Sequence, residues 1–442
     1  MRVPHPAISA LAAGLALFGL VAGAQAQDER TLRERVGGGN LLTHLAGEAP
    51  LANLYEALHG VGARMGRMNS YGWRTVDRIV TPEDFDDAML QAYRNDITPI
   101  ILFEYEGSYQ FLEPPQPIGS YDHWYEVGRK HAARFGRGGT WAKENNAGDW
   151  GVTVFTAINE PDVQKTIPLD QYRDALAGLA DGVHSVNPDF KVVPGGFATC
   201  NSHGDPTFRG YGPAIADLLN DGRLDGLDFH TYYHVQWYPI EGGRAFSAQT
   251  CFDKAKAALG ITRDINFYAT EFNTARTDGW DDDALIGSLF LTAVWDQLGV
   301  RKNDRSPATV LAFPWNLADT PRVDGLAYAM AVEENPWKPD VRSKVLKQVL
   351  ELAGDMTFVE LDGPGSGTMT LEGDGARLIV LQNREGWTDR VVGEPWTVAV
   401  PPWATSAELW GWDGLRETQA VDGMTSVTFQ LSGNETYMLK YK

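Results

Sequence analysis

The sequence predicts an α/β fold. A (β/α)8 TIM barrel over residues 36–353 is followed by a small antiparallel β-sandwich over 355–442. Three observations predict it. Strand-like apolar runs alternate with helix-like segments eight times over 36–353, the count of a parallel barrel. Beyond Gly354 the pattern changes to short period-two runs separated by Gly, Pro and Asp. No Gly-rich phosphate turn follows the first strand. Gly37-Gly38-Gly39 precedes the strand core and opens no helix, which argues against a doubly wound sheet.

The elements follow in order. Residues 36–42 read as a strand and 51–58 as its helix. A second strand covers 63–68. The helix over 82–94 starts on Pro82, with Thr81 as N-cap. Strand three spans 99–105 and its helix 121–135. Strand four spans 152–158, and its helix over 169–186 is closed by Asn187-Pro188. Strand five covers 191–195, with a short helix over 214–219. Strand six covers 227–231 and leads into a long aromatic loop. The helix over 252–259 stops at Gly260. Strand seven spans 265–270 and its helix 283–298; strand eight spans 309–315. The last helix, 341–352, begins after Lys338-Pro339 and stops at Gly354. The period-two runs beyond it are 357–361, 369–371, 376–381, 396–400, 408–412, 427–431 and 437–441. Residues 27–35 either add a strand to that domain or link to it. The Gly- and Asn-rich loop over 136–150 precedes strand four and so falls on the barrel face opposite the strand C-termini.

The first 26 residues read as a bacterial signal peptide. Arg2 opens it, an apolar stretch runs over 8–21, and Ala24-Gln25-Ala26 is a small-residue cleavage site. Cleavage after Ala26 and a periplasmic or secreted location are expected. No later segment has the length of a membrane span. The formal net charge of −20 repels phosphate backbones, so no nucleic-acid partner is expected. In an exported chain the two cysteines, Cys200 and Cys251, suggest one disulfide.

Two motifs carry the chemistry: Ile158-Asn159-Glu160-Pro161 and Ala269-Thr270-Glu271-Phe272-Asn273. Each places a glutamate at the end of a strand-like run, on the side of a barrel where active sites sit. Strands four and seven lie roughly opposite, so Glu160 and Glu271 face each other across the mouth. Two facing carboxyl groups are what glycosidic cleavage needs, one as proton donor and one as nucleophile or base. Their separation decides between retention and inversion, and the sequence does not give it. The nucleophile must stay ionised, which calls for a cation or donors nearby; Arg64, Arg67 and Tyr232 are candidates. Tyr105, Trp141, Trp237 and Trp280 are candidate sugar platforms, weighed against ordinary packing. His230 and His234 have no third ligand with them, so no metal is expected, and the chemistry needs no cofactor.

In this arrangement Asn159-Glu160-Pro161 and Thr270-Glu271-Phe272-Asn273 resemble the large clan of retaining glycoside hydrolases built on (β/α)8 barrels. The resemblance implies Glu160 as acid/base, Glu271 as nucleophile and Asn159 as the contact to the sugar 2-hydroxyl. His230-Thr231-Tyr232 resembles the clan's His-x-Tyr pair, whose tyrosine hydrogen-bonds the nucleophile. Trp315 resembles its sugar-stacking tryptophan, and Arg64 or Arg67 its arginine beside the nucleophile. Within the clan, Thr270 to Thr274 and Lys338-Pro339 look most like glycoside hydrolase family 39, although that family's Asn after Asn-Glu-Pro is Asp162 here. The implied activity is retaining hydrolysis of a polysaccharide or its oligosaccharides. The rivals are a barrel that only binds carbohydrate, separated by turnover of an activated aryl glycoside, and a transglycosylase, separated by products larger than the substrate.

Overall fold

The computed structural model describes residues 29–38, 51–69, 81–104, 119–164, 167–233, 248–274, 282–315, 331–332, 338–361, 368–382, 394–431 and 435–442. In chain order the first elements are α1 (Leu51–Gly60), β1 (Met65–Asn69), α2 (Pro82–Arg94), β2 (Thr98–Phe103), α3 (Tyr121–Phe135), α4 (Thr140–Glu144) and β3 (Val154–Asn159). Next come α5 (Pro161–Gln164), α6 (Leu169–His184), β4 (Lys191–Gly195), α7 (Thr199–His203), α8 (Tyr211–Ala214), α9 (Ala216–Asp221) and β5 (Gly226–Tyr233). Then follow α10 (Ala248–Ala258), β6 (Asn266–Thr274), α11 (Asp283–Leu298), β7 (Thr309–Pro314), β8 (Ala331–Val332), β9 (Lys338–Pro339) and α12 (Val341–Ala353).

Strands β1 to β4 form one parallel sheet in sequence order, and β5 to β7 form a second. Among the described residues these ladders do not make one continuous eight-stranded sheet. Isolated parallel bridges link them: Gly38 to Gly66 of β1, Val36 to Ala312 of β7, and Phe197, just past β4, to Phe229 of β5. Of the strand expected over 36–42, residues 36 and 38 make two of these bridges, and residues 39–42 lie outside the described residues. Side chains from both sheets meet in one apolar cluster. It takes Ile100 from β2, Val154 from β3, Val193 from β4, Tyr268 from β6 and Phe313 from β7. The opposite faces of the strands bury against the helices, as parallel sheets covered on both sides require.

Local chemistry sets the helix starts. Thr81 and Asp84 form a reciprocal capping box at α2, with Pro82 in the first turn. Ser120, Asp282 and Asp340 cap α3, α11 and α12. The loop over 136–150 contains α4, whose Trp141 is buried against Tyr93 and Trp150 rather than offered to a ligand.

Past α12 the pairing becomes antiparallel. The strands are β10 (Thr357–Leu361), β11 (Thr368–Gly373), β12 (Ala376–Gln382), β13 (Glu394–Ala399), β14 (Ser406–Gly411), β15 (Gly414–Ala420), β16 (Ser426–Leu431) and β17 (Thr436–Tyr441). Six form a sheet in the order β10-β11-β12-β17-β14-β15, and β13 pairs with β16. Val427, Phe429 and Leu431 of β16 share a cluster with Leu409, Leu439 and Tyr441 of the larger sheet. Thr31 makes one antiparallel bridge to Thr357, and Arg35 lies over the Phe358 ring, so the N-terminal segment packs against the start of this region without adding a strand there.

Cys200 on α7 and Cys251 on α10 are free, buried thiols, not the expected disulfide. The Cys200 thiol donates to the Cys251 carbonyl at 3.8 Å. The Cys251 thiol's hydrogen bond to the Cys200 sulfur and its burial together push it well above its usual value. No helix among the described residues is long and apolar enough to cross a membrane.

Candidate active site

The site forms where the C-terminal ends of β1, β2, β3, β5 and β6 converge. On β3 the backbone leaves the ordinary strand conformation. Ile158 and Glu160 have φ of 66° and 42°. For a β-branched residue such as Ile158 this costs about 1–3 kcal/mol, so the surroundings must impose it. The pairing with β4 slips between Ala157 and Asn159. The Glu160 N–H turns to the Gly196 carbonyl at 3.1 Å. In a regular strand Asn159 and Glu160 would point to opposite faces. With the kink, both reach the same cluster of groups.

Asp162 holds the kinked segment from behind. Its buried carboxylate accepts from the Ala198 and Thr199 amides and from the Thr199 hydroxyl, the last at 2.6 Å. A carboxylate accepts all of these at once, which an Asn amide oxygen does less well.

Glu271 on β6 is buried. Arg67 Nη2 pairs with its Oε1 at 2.8 Å, and the Tyr232 hydroxyl donates to its Oε2 at 2.5 Å. Burial alone would raise its pKa. His230, Arg67 and Tyr232 outweigh that and hold it below the usual carboxylate value. Arg67 also donates to Asn159 Oδ1 at 2.9 Å and to the Thr270 hydroxyl at 3.1 Å. This one guanidinium therefore ties β1 to β3 and β6.

On β5, Asp228, His230 and Tyr232 alternate and share one face. His230 Nδ1 lies 2.8 Å from Glu160 Oε1 and 3.5 Å from Glu271 Oε2. Burial would lower the His230 pKa, but Glu271, Glu160 and Asp228 raise it above the ordinary histidine value. Asp228 is fully buried; that burial raises its pKa, and His230, Thr270 and Arg67 offset part of the rise.

Glu104, just past β2, is a third carboxyl group. It accepts from Asn69 Nδ2 at 2.9 Å. Burial pushes its pKa up to about 7; Arg67 opposes the shift, and Glu271 and Glu160 add to it.

Asn159, Glu160, Glu271, His230, Tyr232 and Arg67 thus meet in one place. Trp315 follows β7 with its ring edge-on to Tyr232, centroids 6.1 Å apart, and its carbonyl accepts from the Asn273 amide. Arg64 is elsewhere. It precedes β1, at the other end of the strand, and pairs with Asp96 at 3.2 Å. The two arginines are alternatives for one role, and strand direction decides between them. Trp237, Trp280, Tyr105 and His234 lie outside the described residues. Glu104 and Asp228 are site residues that sequence reasoning missed. Glu104 ends a strand-like run as Glu160 does, and Asp228 is two residues before His230 on the same face.

Ligand atoms of Glu160, His230 and Glu271 all lie within 4.8 Å of one another, the one such grouping among the described residues. A metal ion there would compete with Arg67, whose guanidinium already occupies a Glu271 oxygen, and with the His230–Glu160 hydrogen bond.

No protein-family model and no curated protein sequence matches the chain. Solved structures do. A family 51 α-L-arabinofuranosidase from Bifidobacterium longum superposes with a TM-score of 0.59 at 13% identity, covering 95% of this chain and 98% of that one. A glucosidase from Croceicoccus marinus gives 0.57 at 12% identity, covering 93% and 96%. A GH30 endoxylanase from Clostridium papyrosolvens gives 0.56 at 12%, covering 94% and 98%. The likeness spans nearly the full length of both partners in each pair, including the antiparallel C-terminal region. It establishes a shared fold.

Proposed function

We propose that the protein is an exported retaining glycoside hydrolase on a (β/α)8 barrel, cleaving a polysaccharide or its oligosaccharides by double displacement. The observation that carries this reading is the carboxylate pair. Oxygens of Glu160 and Glu271 approach within 4.8 Å. Retaining enzymes need carboxyl groups about 5–5.5 Å apart, whereas inverting ones need about 6.5–9.5 Å to admit water. The two glutamates also differ in the required sense. Arg67, Tyr232 and His230 surround Glu271 with donors, which suits a nucleophile. Glu160 keeps 18% of its side chain exposed against 7% for Glu271, which suits a group that must pass protons to a leaving oxygen and take them from water.

In the first step Glu271 attacks the anomeric carbon while Glu160 gives its proton to the departing oxygen. In the second, Glu160 takes a proton from water, and that water releases the sugar from Glu271. Asn159, its Oδ1 held by Arg67, is oriented to offer its Nδ2 to the sugar 2-hydroxyl. Trp315 supplies a wall beside Tyr232. The glycosidases among the similar structures support the class. The leader sequence supports export, and the C-terminal sheets support an accessory β-sandwich. Nearness to family 39 rests on the short motifs alone.

The test is mass spectrometry after incubation with a panel of 2-fluoro dinitrophenyl glycosides, on wild type and Glu271→Gln. An adduct on a peptide containing Glu271, absent in the variant, is expected. The reading fails if no panel member labels or turns over and no intact polysaccharide yields new reducing ends.

A further inference from the structure

The Thr270 hydroxyl stands at a junction that the proposed reaction does not use. It has three polar neighbours: Arg67 Nη1 at 3.1 Å, Asp228 Oδ2 at 2.6 Å and His230 Nε2 at 3.1 Å. A hydroxyl has one proton to give and two lone pairs to offer. Arg67 can only donate, so it takes one lone pair. One proton and one lone pair are left to divide between Asp228 and His230.

Two arrangements satisfy every atom. In one, Asp228 is ionised and receives the Thr270 proton, while a protonated His230 Nε2 donates to Thr270. In the other, Asp228 is a carboxylic acid donating to Thr270, and Thr270 donates to a neutral Nε2. The two have the same total charge. They interconvert when the Nε2 proton moves to the Thr270 oxygen and the Thr270 proton moves to Asp228 Oδ2. Any other proton count sets two donors or two lone pairs against each other, which is costly where water is excluded.

We propose that Asp228, Thr270 and His230 form a buried proton relay beneath the carboxylate pair, in which Asp228 is a positioning residue that governs the charge of His230 and hence its hydrogen bond to Glu160. Asp228 otherwise has no evident use. It is fully buried, and Thr270 takes both its oxygens, Oδ1 through the amide at 2.9 Å and Oδ2 through the hydroxyl. An isolated buried carboxylate would be strongly destabilising.

The groups facing His230 pull in opposite directions. Glu160 and Glu271 at Nδ1 favour the imidazolium. Arg67 Nη1, 3.3 Å from Nε2, favours the neutral ring, because it too can only donate there. Their balance shifts when negative charge leaves Glu271 or arrives on Glu160. Both changes occur between the two steps of a double displacement. The kinetic consequence therefore rests on the glycosidase reading; the relay itself does not.

The test is nitrogen-15 NMR of the His230 imidazole across pH, assigned by the signal lost in His230→Asn. Wild type is compared with Asp228→Asn, Thr270→Val and Thr270→Ser. The His230 midpoint is expected to fall by about one pH unit or more in Asp228→Asn and Thr270→Val, and to stay near wild type in Thr270→Ser, which keeps the hydroxyl. In turnover of an aryl glycoside, the first two variants should lose about tenfold in kcat with KM unchanged. An unmoved midpoint in Asp228→Asn, or Thr270→Ser behaving like Thr270→Val, overturns the relay. Should Asp228→Asn not fold, the Val and Ser pair decides alone. A wild type that hydrolyses no glycoside refutes the glycosidase reading, while the NMR midpoints still decide for or against the relay.

Discussion

His230 sits between the two glutamates because residue 196 has no side chain. Gly196 has φ of 86°, and a Cβ added there would lie 2.0 Å from His230 Nε2. Gly196→Ala must therefore move the ring or the loop after β4. The expected result is a fall of about a hundredfold in kcat/KM, with a folded protein by circular dichroism. A wild-type rate would mean that the ring's place is irrelevant. At this scale the sequence is unevenly legible. Glu160 and Glu271 can be read because each ends a strand-like run, a position barrels use for chemistry. Asn159 lies within the first of these motifs, whereas His230 and Tyr232 follow another strand-like run and come from the His-x-Tyr resemblance. Arg64 and Arg67 stand as alternatives in the motif reading, although chain order alone puts Arg67 nearer the C-terminal end of its strand. Glu104 and Asp228 escape because their importance comes from burial beside other charges, which depends on partners distant in the chain.

Helices α3 and α6 show what an element can and cannot reveal. Both are legible from apolar periodicity, and α3 matches its predicted bounds because Ser120 caps its first turn. Their mutual approach is not legible. Cβ atoms built on Gly178 and Gly182 of α6 would lie 2.2 and 2.1 Å from the carbonyls of Tyr121 and Tyr125 in α3. Backbone cannot yield as a side-chain tip does, so Gly182→Ala must push the helices apart. A loss of about 1–3 kcal/mol in urea unfolding is expected. No change in midpoint would show that the pair slides freely. The short helices α4, α5 and α7 escape detection in the sequence because a single turn has no periodicity to find. The kink at Ile158 escapes too, because a β-branched residue reads as ordinary strand.

Over the whole molecule, buried titratable groups tie stability to pH, and their signs differ. His123 and His131 on α3 are buried, and desolvation pushes both down to about 4. Between about 6.5 and 4 the unfolded chain binds protons that the folded one refuses, so these histidines cost stability as pH falls. Glu104 works the other way. Its carboxyl is pushed up to about 7, so the folded chain holds a proton between about 4.5 and 7 that the unfolded one has lost. Its stabilisation is present below the unfolded value and disappears as pH rises through 7. Asp228 is also raised, so wild-type stability alone mixes opposing contributions. Single variants separate them. His131→Gln removes one group that favours stability at higher pH. The slope of unfolding free energy against pH, measured between 5 and 6, should drop by about 1.4 kcal/mol per unit. Glu104→Gln removes an opposing group, and the same slope should rise by about that amount. Changes of slope are the relevant quantity, because a cavity or a lost hydrogen bond shifts stability equally at every pH. Parallel curves for wild type and Glu104→Gln would mean that this carboxyl is ionised in the folded protein near neutral pH. The site would then carry one more negative charge beside Glu160 and Glu271 than this structure supports.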